Sequence, residues 1–157
     1  MLLAKSTRKN KERGATTLGE FAFVATIFCM VFFGILEYSL FLYTYDVMQN
    51  AAREGARSAV VSYNDPNMVT TTQNYVQTMM MGLDQKMTNY SCQVYLADTN
   101  GNNINTTSPV ANATTAQFGQ NICVQVSLTY TPITPMLFLP SSAFTLSTKC
   151  CMASEAN

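Results

Sequence analysis

The chain has 157 residues, the size of one domain, and carries neither histidine nor tryptophan. Only 11% of its residues are charged, against roughly 25% in an ordinary soluble domain. Nine cations balance nine anions, but five of the cations lie within the first 13 residues, leaving four against eight from Ala15 onward. A nucleic-acid binder needs its cations on a folded surface, so that class is excluded as a reading. Without histidine the commonest general base and transition-metal ligand is missing. No nucleophile–base pair stands out, and the sequence reads as that of a non-enzyme with no cofactor and no metal.

Phe21 to Leu36 is an uncharged apolar run, which resumes after Glu37 as Tyr38 to Tyr45. Together they make 25 residues, about 37 Å of helix, enough to cross a hydrocarbon core of about 30 Å. The basic segment before it (Lys5, Arg8, Lys9, Lys11, Arg13) places the N-terminus in the cytoplasm by the positive-inside rule. A cleaved secretory signal shares this layout. Glu20 at the entrance and the lack of an A-x-A-like site after the run argue instead for a retained span.

Glu20 and Glu37 both require explanation, because a carboxylate in lipid is expensive and usually paired. They are 17 residues apart, about 25 Å along a helix, so they share no partner. One candidate partner for Glu20 is a new α-amino group on a neighbouring chain, created by a cut near Arg13-Gly14-Ala15. The alternative is that Glu20 sits in the headgroup layer.

Arg13-Gly14, then Glu20-Phe21-Ala22-Phe23-Val24, resembles the class of prepilins processed by a dedicated peptidase. Downstream, Phe33-Gly34-Ile35-Leu36-Glu37-Tyr38, Leu42-Tyr43 and Asn50-Ala51-Ala52-Arg53-Glu54-Gly55-Ala56-Arg57 resemble the TadE family of minor pilins of tight-adherence (Flp-type) pili. The likeness spans about residues 13–61. It implies a pseudopilin-like subunit cut on the cytoplasmic side by a prepilin peptidase and anchored by its N-terminal helix. Its implied partners are the lipid bilayer, other pilin or pseudopilin subunits, and the pilus assembly platform of a bacterial inner membrane. Two positions depart from the family pattern. A cut after Gly14 makes Glu20 the sixth mature residue, where the family has it fifth; a cut after Ala15 restores the fifth. Leu40 stands where the family often has a base.

Beyond the span, Asp46, Asn50, Arg53, Glu54 and Arg57 return polar spacing, while Ala51, Ala52, Gly55, Ala56 and Ala59 keep other faces small. Small residues permit close helix approach. Arg53 and Arg57, at i and i+4, share a face that would suit an acidic partner, or else form a solvated stripe. The helix is expected to end near Val61. Asp65-Pro66 has the form of an N-cap and first helical residue, so a second helix is expected over 66–82, with Gly82 near its end. Met79-Met80-Met81 reads as packing material.

From Cys92 the period becomes two. Cys92–Leu96, Ile122–Tyr130 and Phe144–Met152 read as half-buried strands, joined by a polar loop over 98–120 and by a segment holding Pro132, Pro135 and Pro140. Asn89, Asn105 and Asn112 fit the glycosylation pattern but read as polar loop composition. The fold class is α+β: a long N-terminal transmembrane helix, a short helix and a small antiparallel β-sheet head. The segments are a basic cytoplasmic leader (1–14), the helix (15–61, span about 21–45) and an extracytoplasmic head (62–157).

Cys29 lies in the span. Cys92, Cys123, Cys150 and Cys151 fall in the head, where disulfides persist, and they lack the C-x₂-C pairs of zinc sites. Pairing Tyr130 with Phe144 in an antiparallel register sets Cys123 opposite Cys151 on the polar face. Cys92 and Cys150 share the apolar parity and are expected to form a second bond. Two functions are therefore carried forward. One is a minor pilin or pseudopilin-like structural subunit, with Gly14 and Ala15 for processing and Glu20, Glu37, Arg53 and Arg57 for assembly. The other is a single-span anchored extracytoplasmic binding protein outside any filament.

Overall fold

The computed structural model describes residues 3–62, 65–104, 116–133 and 143–154, with side chains from Thr17 onward. Gly14 and Ala15 lie on its first helix with their surroundings outside that description. Asn105, Asn112, Pro135 and Pro140 fall outside the described residues altogether.

Helix α1 runs Leu3–Val61, 59 residues and about 88 Å long. No proline occurs before Pro66, and alanine, phenylalanine, leucine and valine are the commonest apolar residues, so nothing breaks the hydrogen-bond ladder. Hydroxyls within its apolar part turn back onto the helix. Thr26 donates to the Ala22 carbonyl at 2.8 Å and Ser39 to that of Ile35 at 2.8 Å. These polar atoms are thereby satisfied without water.

The apolar run divides at Glu37. From Thr17 to Leu36 every residue is exposed or half-exposed, Phe21 and Phe23 each to 70%. The most apolar 18-residue window of α1 is only 6% buried. The core helix of a globular domain is mostly covered, so this surface fits a membrane anchor. From Glu37 onward one side of α1 is covered by the head. The 25-residue run expected as a single span therefore serves two environments, and the stretch of α1 that the head leaves uncovered is the 20 residues 17–36, about 30 Å.

The head is built on the second half of α1. Helix α2 (Met68–Met79) and the four-residue α3 (Leu83–Lys86) precede strands β1 (Thr88–Ala97), β2 (Asn121–Tyr130) and β3 (Phe144–Ala153). The strands form one antiparallel sheet in the order β1-β2-β3. This is the α+β arrangement that the periodicities indicate. The second helix begins two residues later than expected. Asp65 accepts the Asn67 amide at 2.8 Å and spends its carboxylate on a turn, so Asn67 takes the cap position. The helix ends before Met81 and Gly82, both with positive φ. Of the three methionines only Met80 is buried; Met81 is 75% exposed.

The core lies between α1 and the sheet. Ile122, Val124, Val126, Leu128 and Tyr130 point inward from β2, and Met48, Ala51, Ala52, Ala56 and Ala59 of α1 meet them. Gly55 marks the tightest approach. A Cβ there would run into Cγ2 of Val76 on α2 and stand 3.3 Å from Cγ1 of Val124. The small residues of α1 thus admit the chain's own head. Asp46, Asn50, Arg53 and Arg57 remain on the opposite, exposed side.

The outer face of the sheet also carries a small core. Tyr95, Ala97 and Cys123 are buried there with Cys151 packed against them. A turn covers them: Asp98 accepts the amides of Asn100 (2.9 Å) and Asn102 (2.8 Å), and Lys149 Nζ donates to the Gly101 carbonyl at 3.1 Å. The Asn102 amide above all, with that of Asn100, holds the Asp98 carboxyl below its usual range.

Tyr130 pairs with Phe144 and Cys123 with Cys151, and the two sulfurs of the latter pair are bonded. The expected Cys92–Cys150 bond is not formed; both are free thiols. The strand order is the reason. Cys92 lies opposite Val126 and Cys150 opposite Val124, so the whole of β2 separates them. Two strand spacings are about 9.5 Å, beyond the roughly 7 Å reach of a disulfide. Burial pushes the Cys92 thiol up to about 11, which keeps it protonated and unreactive at neutral pH. Non-reducing peptide mapping of the purified protein should recover Cys123 linked to Cys151, with Cys92 and Cys150 recovered as alkylated free thiols. A Cys92–Cys150 peptide would contradict the strand order.

Candidate functional site

The chemistry-bearing residues fall at three heights along α1. Lowest is Glu20, one of the exposed residues near the start of the unpartnered rod. Among the described residues nothing pairs with it. At the height of Glu37 the head begins, and highest are Arg53 and Arg57 on the exposed side. The structure brings none of these groups together. A separation of 17 residues keeps the two carboxylates about 25 Å apart, as spacing requires.

Glu37 is only 4% exposed. Tyr130, the last residue of β2, donates its hydroxyl to Glu37 Oε1 at 2.7 Å. The Ile133 amide points at the same carboxylate, 3.1 Å from Oε2 and 3.3 Å from Oε1. One side chain of the anchor helix therefore holds the end of the central strand and the start of the following segment. Burial, and then the hydrogen bond to Glu37, push the Tyr130 phenol well above its ordinary range, so it stays a donor.

Aromatic rings close the site from above. Phe41, one turn along α1, meets Tyr130 edge-on at 5.9 Å, and Phe144 packs on both at 6.0 and 5.6 Å. Such pairs add about 0.5–1.5 kcal/mol each beyond their buried area. Charge-assisted hydrogen bonds add about 1.5–3 kcal/mol. The base of the head is thus fixed by one carboxylate and three rings.

Sequence reasoning placed Glu37 among the assembly residues and noted that Leu40 removes a basic neighbour. It did not find Tyr130, 93 residues away. A usable signal existed: Tyr130 ends the inward-facing row of β2, and a buried tyrosine hydroxyl wants a polar partner.

Arg53 and Arg57 are exposed and share a face, and among the described residues neither forms an ion pair. Arg57 borders a shallow groove of about 320 Å³ with Glu54, Val61 and Tyr75. No group of three or more potential metal ligands occurs among the described residues. The arrangement around Glu37 orients and anchors the head.

Residues 14–57 match the family described as TadE-like protein. The matched segment takes in Gly14, Glu20, Glu37, Gly55, Arg53 and Arg57, and stops before the head's own helices and strands. No curated protein and no solved structure matches the chain.

The Glu37–Tyr130 pair should be measurable as a coupling. Glu37→Gln and Tyr130→Phe are each expected to lower the stability of the head by about 1–3 kcal/mol, with the double variant losing clearly less than the sum. Thermal unfolding of the full chain in detergent gives the cycle, and strict additivity would mean that the contact contributes nothing.

Proposed function

We propose that this chain, TadE-like over residues 14–57, is a minor pilin or pseudopilin-like structural subunit of a tight-adherence pilus. The observation that carries the reading is the coincidence of that family match with an apolar rod that the head leaves uncovered. A helix with 20 exposed or half-exposed residues below its own head has a surface meant for lipid and for other subunits.

In this reading a prepilin peptidase removes the basic leader after Gly14 or Ala15, and residues 17–36 cross the inner membrane. The positive-inside rule leaves the start of the helix in the cytoplasm and sends the head outward. Glu20 then lies three residues inside the cytoplasmic end of the span. A carboxylate there costs up to a few kcal/mol unless it is paired. The new α-amino group of a neighbouring subunit supplies the opposite charge and fixes the axial register between the two helices. Glu37 has its own head for a partner, which assigns the two carboxylates different tasks: Glu20 joins subunits and Glu37 joins the two halves of one subunit. Arg53 and Arg57, exposed above the membrane, are available to an acidic partner in the assembly platform or a second subunit.

Mass spectrometry of the mature N-terminus should find a chain starting at Ala15 or Thr16. Glu20→Ala should stay in the membrane fraction, since the change only makes the span more apolar, yet fail to co-purify with the other pilus subunits. An uncut N-terminus in a wild-type chain that does not co-purify with pilus subunits would remove the subunit reading and leave a simple anchored binding protein; normal co-purification of Glu20→Ala would leave Glu20 in the headgroup layer.

A further inference from the structure

A cavity of about 240 Å³ opens where the head meets α1, between Leu40 and Tyr43 of the helix, Leu83 and Met87 around α3, and Tyr130 at the end of β2. Its lining is mostly apolar, and Lys86, exposed, is its one charged residue. Two of its hydroxyls are already engaged. The Tyr130 hydroxyl is held by Glu37, and the Thr44 hydroxyl turns back to the Leu40 carbonyl at 2.9 Å. The acids nearest in the chain are engaged as well: Glu37 by Tyr130 and Ile133, and Asp84 by the Gln77 amide at 2.8 Å. Among the described residues Lys86 forms no ion pair. A mostly apolar slot lined by one exposed, uncompensated cation matches an amphiphile with an anionic head.

The height of the cavity says which amphiphile. If the span ends at Leu36, Leu40 stands about 6 Å and Tyr43 about 10 Å beyond it. The polar layer of a bilayer extends roughly 5–7 Å beyond the hydrocarbon on each side. Leu40 therefore stands in the outer part of that layer, at the level of the phosphates, and Tyr43 just beyond it, while the exposed surface of α1 continues downward from the slot. The stem of a lysine lies along apolar surface while its ammonium reaches outward.

We propose that this cavity binds the head of one anionic phospholipid of the outer leaflet, its phosphate on Lys86, its glycerol region against Leu40, Leu83 and Met87, and its acyl chains running down the exposed surface of α1. The bound lipid would extend the footing of the head on the membrane beyond the single carboxylate of Glu37. The inference rests on the membrane anchor and the orientation proposed above, and carbonate extraction of the wild-type chain tests that anchor separately.

Native mass spectrometry of the full chain in detergent, titrated with phosphatidylglycerol or phosphatidylcholine, tests the lipid site. The wild type should retain one phosphatidylglycerol in preference to phosphatidylcholine. Lys86→Glu should weaken phosphatidylglycerol retention about fivefold or more, and Lys86→Arg should restore most of it. Lys149→Glu, on the far face of the sheet, should leave retention unchanged. Equal retention of the two lipids, or equal retention by wild type and Lys86→Glu, would overturn the proposal. Displacement of the lipid by millimolar inorganic phosphate would also overturn it, because the site would then be an anion site and not a lipid site. A chain released by carbonate but still selective for phosphatidylglycerol would refute the anchor and leave the site standing.

Discussion

A carboxylate in the middle of an apolar helix has to be answered by something, and here the answer comes from 93 residues away. Glu37 receives the Tyr130 hydroxyl and the Ile133 amide, and in doing so it fixes where the head begins. Below it α1 is uncovered over residues 17–36; above it α1 is one wall of a core. Leaving that carboxylate buried and unpaired would cost several kcal/mol, so the head is held most firmly at the place where the anchor stops. The ring cluster of Phe41, Tyr130 and Phe144 then makes the junction stiff, because displacing any one ring uncovers the other two.

This junction explains the division of residues along α1. Above Glu37 the small residues Ala51, Ala52, Gly55, Ala56 and Ala59 lie on the covered side, and Gly55 lets α2 and β2 approach where no side chain fits. The charged residues are left on the other side. In the proposed role a rigid link of this kind transmits the position of the span to the head: when Glu20 sets the axial register of one helix against its neighbour, the head follows as part of the same rod. A flexible linker between anchor and head would lose that information.

Much of the fold was legible in the sequence. The alternation in Ile122–Tyr130 and Phe144–Met152 is strict, and a slip by one residue would turn every inward side chain outward, so the register of that pair is strongly specified. The absence of proline before Pro66 made the long helix equally plain. What could not be read was which environment covers an apolar residue. Tyr38 to Tyr45 is uncharged like the rod below it, and its three tyrosines suit a membrane interface as well as a protein core. Parity likewise told which face Cys92 and Cys150 occupy but not which strands are neighbours, and β2 lies between them. The Glu37 site was half visible. The buried acid announced itself, whereas its tyrosine partner looked like one more inward residue of a strand.

The central claim is that Glu37 ties the head to the anchor helix, and amide hydrogen exchange at Ile133 reads that tie directly. In the full chain reconstituted in lipid nanodiscs, the Ile133 amide should be strongly protected. Glu37→Leu should abolish that protection while the central amides of β2 around Val124 and Val126 keep theirs, because the sheet itself does not depend on the carboxylate. Unchanged protection at Ile133 in Glu37→Leu would contradict the account and would mean that packing alone seats the head.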